Sequence, residues 1–417
     1  MLYLLGLVIL VAGLLLSVIL HELGHLSVAK LFKVLVPECW AGFGAVIWSK
    51  QLGSTRYGLK AWPLGGYVRI LGMYPPAPAG TRTRTRAGKV TLAQQAREDS
   101  AQEMERAAAA GLRGYALWQV SPWKKAAVIA AGPVVNLILA FVFTAWVVVG
   151  YGSQVATTTV AEVNTDPKVS STAAYEAGIQ AGDQILSWDG QSVTSWEQLR
   201  SLVAHSNAQP TQVQVERDGQ TLPLEVTAQN VGGSDRGSTL ALGVTSQIER
   251  VHGSWGEAVS ATGKQVALSL QSLWNLPANL WHTAASLFTG EERSSDSVVS
   301  VVGAARVAGE ITSTATEGQD LTWVDRAAML CSLLAALNVA LFVFNLIPLP
   351  PLDGGHFVAA IWGELKNLWA SLLRRPQPHP VDAAKAVPLA SAVFALLIAV
   401  SLVLVVADLV DPVTLFS

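Results

Sequence analysis

The 417-residue chain is poor in charge: Asp, Glu, Lys and Arg make up 14 % of it, against 51 % hydrophobic residues. Soluble domains carry about 25 % charge, so this deficit points to lipid, as does a mean hydropathy of +0.39. Cysteine is nearly absent. Cys39 and Cys331 fall in what reads as a cytoplasmic loop and a membrane helix, which excludes a disulfide framework and a cysteine-based zinc site. An excess of basic residues is also lacking. The net charge is -2, which gives no case for a nucleic-acid partner.

What the sequence does have is long apolar runs. Residues 2–20 are almost unbroken, and others run over 126–151, 327–347 and 387–406. About 20 apolar residues cross a bilayer core, so four spans are expected. The first is too long for a cleaved signal segment, and it has neither a basic start nor a small-residue cleavage site. Residues 31–125 hold 14 Lys/Arg against 5 Asp/Glu, and residues 152–326 hold 9 against 19. Basic loops stay in the cytoplasm. The first and third loops are therefore expected inside, and 152–326 and both termini outside. The acidic tail with Asp408 and Asp411 agrees.

Between the second and third spans, short β-type runs over 156–228 are punctuated by Asp189-Gly190 and Asp218-Gly219. A helix should start behind Ser195, with Gln198 three residues on. Residues 251–320 show helical periodicity with tryptophans and could lie on the membrane surface. Residues 75–113, rich in Pro and Arg and then in Gln, Glu and Ala, read as a mobile insertion with one helix.

The chemistry lies at the end of the first span, in His21-Glu22-Leu23-Gly24-His25. Histidines at i and i+4 share a helix face and can share one metal ion. Glu22 can serve as general base toward a zinc-activated water, whose pKa falls to about 7. Three ionisable groups beside an apolar span are costly unless they are used. At ~1.5 Å per residue, His21 lies ~30 Å along the helix, towards the cytoplasmic leaflet. A catalytic zinc needs a third protein ligand. The third span runs into Pro348, Pro350 and Pro351, then Asp353-Gly354-Gly355-His356. Prolines force irregular backbone there, tolerated at membrane depth only inside protein. Spacing alone leaves Asp353 and His356 as rivals.

The pairing of the His-Glu-Leu-Gly-His motif with the Asn345 to Gly355 segment resembles the site-2 protease family of intramembrane zinc metalloproteases, in its bacterial, single-PDZ branch. The resemblance implies zinc held by His21, His25 and Asp353, with Glu22 catalytic. Gly132-Pro133-x-x-Asn136 matches another motif of that family. Gly42, Gly44 and the 64–73 stretch match its membrane-dipping β-hairpin, an edge that could pair with a substrate strand. Asn136, Gly42, Gly44, Asn345 and Pro348 are thereby expected to position substrate. Ala177 to Leu186, followed by Asp189-Gly190, resembles a bacterial PDZ run.

The expected fold is an α-helical polytopic membrane protein with four transmembrane helices, a membrane-associated β-hairpin or sheet, and one extracytoplasmic α+β PDZ domain. In order the parts are 1–32 (first span with the zinc motif), 33–74 (hairpin), 75–120 (insertion), 121–151 (second span), 155–230 (PDZ), 231–326 (helical region), 327–347 (third span), 348–386 (cytoplasmic segment with the Asp ligand) and 387–408 (fourth span). The implied activity is endoproteolysis of single-span membrane proteins, such as anti-sigma factors or signal-peptide remnants, in the cytoplasmic membrane. The alternative is a catalytically inactive PDZ adaptor. A proton-relay transporter finds no support, because the spans show no inverted repeat.

Overall fold

The computed structural model describes residues 2–164, 172–206, 208–231, 239–289, 300–313, 321–376 and 379–410. Asp411 of the acidic tail lies outside them. The chain divides into two units, one of Met1–Val147 with Trp255–Ser417, the other of Val148–Ser254.

Among the described residues, four helices are long and apolar enough to cross a membrane: Leu2–Leu31, Pro122–Tyr151, Trp323–Asn345 and Ala383–Val410. Each has a local cause. Helix α1 (Leu2–Leu31) is the first apolar run, continued through the histidine motif to Lys30. Between it and the second crossing lie strands β1 (Glu38–Leu52) and β2 (Thr55–Arg69), then helix α2 (Leu92–Ala109). Helix α3 (Pro122–Ala145) opens on a proline, where the missing N–H costs nothing, and widens into a π-helical turn to Tyr151.

Strands β1 and β2 are long, and both bend. Cys39 pairs with Tyr57 and also with Val68, so the hairpin folds back on itself into a small sheet. The last segment of β2 runs on its outer edge beside α1. Gly66 allows the close pairing of this segment with β1, because a Cβ there would lie 2.8 Å from the Trp40 carbonyl oxygen; on the α1 side it would meet Glu22 Cγ at an ordinary 3.6 Å.

The 75–113 insertion carries one helix. Its helix α2, capped by Thr91, is docked: Ala107 packs on Leu35 and Leu71. The side chains of Arg97 and Asp382, 3 % and 8 % exposed, form an ion pair at 2.5 Å.

The second unit begins with β3 (Ser153–Val163). It continues through α4 (Ala173–Glu176), β4 (Gln184–Trp188), β5 (Gln191–Ser192), α5 (Trp196–Ala204), β6 (Pro210–Arg217), β7 (Gln220–Thr227), β8 (Gln229–Val231), β9 (Thr239–Ala241) and β10 (Val244–Val251). Its main sheet runs β10-β3-β4-β6-β7, with β5 on β4, and β8 pairs with β9. Both Asp-Gly turns take the left-handed pair of conformations that tight hairpins need, at φ 50° and 72° for Asp189-Gly190 and 52° and 77° for Asp218-Gly219. Ser195 Oγ accepts from Gln198 N and caps α5. Ile185, Leu199, Val213, Val215 and Val226 form the core.

Asp183 is the polar anchor of this unit. Burial would raise its pKa. Two 2.7 Å hydrogen bonds from Arg217 and one from the Gln180 amide outweigh that and hold it below the ordinary carboxylate value. A lowered folded pKa stabilises above the unfolded value of about 3.9, and the gain is lost as pH falls through the folded value. Asp183→Asn should therefore speed amide exchange at Ile185 and Val215 at pH 7. The gap to wild type should shrink on acidification below about pH 4. An equal gap at both pH values would contradict this.

The first unit resumes with α6 (Trp255–Thr289), α7 (Val301–Ser313), α8 (Trp323–Asn345), α9 (Asp353–Leu372) and α10 (Val387–Val410). Helix α6 lies in the tryptophan-rich stretch. Val266 and Leu273 pack on Ala140, Val339 and Val343, while Trp274 and Trp281 stay exposed. The sequence does not single out α7. Its Ala304, Ala308 and Ile311 join Leu10, Leu330 and Leu334, and Thr312 Oγ1 donates to the Leu2 carbonyl. Asn338 donates to Ser17 at 3.0 Å, a buried polar link between α8 and α1.

Candidate metal centre

Helix α1 puts His21 and His25 one turn apart, with Nε2 atoms 3.1 Å from each other. The bend after α8 returns the chain so that Asp353, the first residue of α9, faces them. Its Oδ2 lies 3.3 Å from both Nε2 atoms. The two glycines make this turn possible: a Cβ at Gly354 would lie 2.2 Å from the Ile347 carbonyl oxygen, and one at Gly355 2.5 Å from Pro350 N. Among the described residues these three side chains form the one group of three or more such donors close enough to share an ion.

The donor set fits zinc. Ligand distances of about 2.0–2.2 Å in a tetrahedron put neighbouring donor atoms ~3.3 Å apart, which is the spacing found. A second observation is independent of the donors. A Cβ built on Gly132 of α3 would fall 2.3 Å from His25 Nε2 and 2.6 Å from His21 Nε2. The space in front of both nitrogens is kept open by the absence of a side chain.

Both imidazoles are held from behind. His25 Nδ1 lies 2.8 Å from the Val128 carbonyl, to which it donates, leaving Nε2 with a free lone pair. His21 Nδ1 lies 3.0 Å from the side-chain amide of buried Asn136. The facing atom is Asn136 Nδ2, with Oδ1 left unpartnered; an imidazole that offers Nε2 to a metal carries its proton on Nδ1, so turning the amide over puts its oxygen there to accept. Asn136, which the sequence groups with substrate contacts, lines the metal cavity and also stands against a histidine.

Glu22 lines the same cavity, of about 450 Å³, together with Val68 on the outer edge of β2. Asn345, at the end of α8, also lines this cavity, as does His356, which stays outside the three-donor group. Pro348, Gly42 and Gly44 do not line it. Pro348 shapes the bend before α9, and the two glycines, at φ 83° and 86°, shape the bend of β1. Gly132 as a cradle and Val68 as a neighbour of Glu22 in the cavity carry no local signal beyond the motifs around them.

Two histidines and a carboxylate converging beside a glutamate, within a bundle of membrane-crossing helices, define a metal-dependent hydrolase of the membrane. Residues 9–374 match the model of peptidase family M50, and the chain belongs to that family. Curated relatives match over most or all of the chain. Zinc metalloprotease Rip1 of Mycolicibacterium smegmatis is 30 % identical over 100 % of both chains, and Rip1 of Mycobacterium tuberculosis is 28 % identical over 100 % of both. Metalloprotease MmpA of Caulobacter vibrioides is 28 % identical over 82 % of each. The chain is a zinc metalloendopeptidase of the site-2 protease type, a multi-pass membrane protein whose cofactor is Zn²⁺. The adaptor alternative falls away.

Proposed function

We propose that this protein hydrolyses peptide bonds within the transmembrane segments of single-span proteins, with anti-sigma factors and signal-peptide remnants as the substrate types. The observation that carries this is the convergence of His21, His25 and Asp353 beside Glu22 in the C-terminal third of a helix long and apolar enough to cross a membrane. His21, His25 and Asp353 would hold the zinc, which when bound would supply Lewis-acid chemistry. Glu22 takes the proton from the attacking water and returns it to the leaving amine. Val128 and Asn136 keep the imidazoles in the tautomer the site needs.

A bond in a membrane helix is shielded by its own hydrogen bonds, so the substrate must be drawn out as a strand. The outer edge of β2 suits that task, because Tyr67 and Val68 on it line the cavity. Asn345 contacts the extended substrate, while Gly42, Gly44 and Pro348 act through the shape of the sheet and the bend. Residues 155–230 form the extracytoplasmic PDZ domain, and substrates arrive after another protease has trimmed their outer part.

Two experiments follow. A single-span reporter tagged at both ends should be cut by wild type in cytoplasmic-type membranes. Cutting should stop with a zinc chelator and return with added zinc. Cleavage indifferent to chelation would overturn the reading. Metal analysis separates the two residues of the bend: Asp353→Ala should lose at least half of the one zinc per chain, whereas His356→Ala should retain it. The reverse pattern would move the third ligand to His356.

A further inference from the structure

The metal cavity continues past the zinc donors. Tyr67, Val68, Ile70 and Met73 line it, and the same four residues line a second groove of about 360 Å³. The far wall of that groove is α2, which contributes Asp99, Ser100 and Glu103. Residues 31–125 are basic overall, yet four of their five acidic side chains, Glu98, Asp99, Glu103 and Glu105, sit on this helix. Glu103 is taken up by Arg69 at 2.6 Å. Asp99 is exposed and has no ion pair among the described residues. Ser100 is only 6 % exposed, and its Oγ meets no hydrogen-bond partner among them. Buried hydroxyls are normally paired, so this wall offers both an unused anion and an unused hydroxyl. It is also firmly placed by the buried Arg97–Asp382 pair.

We propose that this groove receives the basic flank of the substrate, a reading that rests on the proposed intramembrane activity. Membrane segments carry Lys and Arg just beyond their cytoplasmic ends. A substrate strand paired along β2 continues from the zinc site into the groove. There its basic side chains meet Asp99, and Ser100 bonds a polar group of its backbone. The groove thus selects for charge and sets which bond of the apolar stretch lies at the zinc.

The test is a binding measurement that needs no hydrolysis. Full-length Glu22→Gln protein in an uncharged detergent is titrated against a fluorescein-labelled decapeptide with four lysines among valines and threonines. The counterpart peptide carries four glutamates. Anisotropy should show the lysine peptide binding at least tenfold tighter. Asp99→Asn should cut that preference at least fivefold, Asp99→Glu should restore it, and Glu105→Gln, on the same helix but off the groove, should leave it unchanged. No preference for lysine, a preference surviving Asp99→Asn, or an equal loss with Glu105→Gln would overturn the proposal. If the lysine peptide binds as expected and no single-span reporter is cut, the intramembrane activity fails and the charge-selective groove stands. If reporters are cut without a lysine preference, the groove alone fails.

Discussion

Gly132→Ala should fold, insert into the membrane and hold almost no zinc. The added methyl would lie 2.3 and 2.6 Å from the two Nε2 atoms, where the ion belongs. Those distances are far inside van der Waals contact. Relief would require α3 to move away from α1, but Gly24 already seats the two helices closely, with a Cβ there 2.7 Å from the Ala131 carbonyl. Alanine is a better helix former than glycine by about 1 kcal/mol, so the helix itself should not weaken. Zinc affinity should fall on the order of 10²-fold or more, beyond what losing one outer partner of a ligand costs, and cleavage should fall to background. Metal content and a thermal melt on the same sample check this. Full zinc occupancy in Gly132→Ala would mean that the space in front of the histidines is not the metal position.

Glu22→Gln should do the opposite to the metal and the same to the activity. Glutamine keeps the length and shape of the side chain and can still face Val68, and no zinc donor is touched. What disappears is the proton acceptor. Positioned general acid–base groups contribute roughly 10²–10⁴-fold, so turnover of a single-span reporter should drop by that factor while zinc stays at wild-type level. His25→Ala should lose zinc and activity together. The contrast between the two variants separates a proton-transfer role from a metal-binding one. Zinc loss in Glu22→Gln would instead make Glu22 part of the metal's support.

Much of this was legible in the sequence because the signals are local. Apolar length marks all four crossing helices, and the i, i+4 spacing of His21 and His25 needs only one turn of helix. Asp189-Gly190, Asp218-Gly219 and the Ser195 cap are decided within four residues, and each appears where its chemistry places it. The pairings that remained hidden are long-range. Arg97 meets Asp382 across 285 positions, and nothing near either residue announces the other. For that reason composition alone makes α2 look like part of a mobile insertion. Helix α7 has the same cause: its small residues Gly303, Ala304, Ala308 and Gly309 suit close packing on α1, but a short run of small residues does not say against what. The return of β1 and β2 into a folded sheet depends on bends at Gly42 and Gly44. Their positive φ is a property of the tertiary path. Asp353 stands between the two cases. The prolines and glycines mark a bend, but only the fold shows which side chain of the bend meets the histidines.

The central claim is that a zinc site at the end of α1 cuts inside a membrane segment, and the masses of the products test it most directly. A single-span reporter with an unbroken apolar stretch, reconstituted with wild type and separately with Glu22→Gln, would be analysed by mass spectrometry. One or two adjacent cuts within the apolar stretch, toward its cytoplasmic end, are expected with wild type alone. Cuts confined to the soluble flanks, or the same internal cuts with Glu22→Gln, would contradict it.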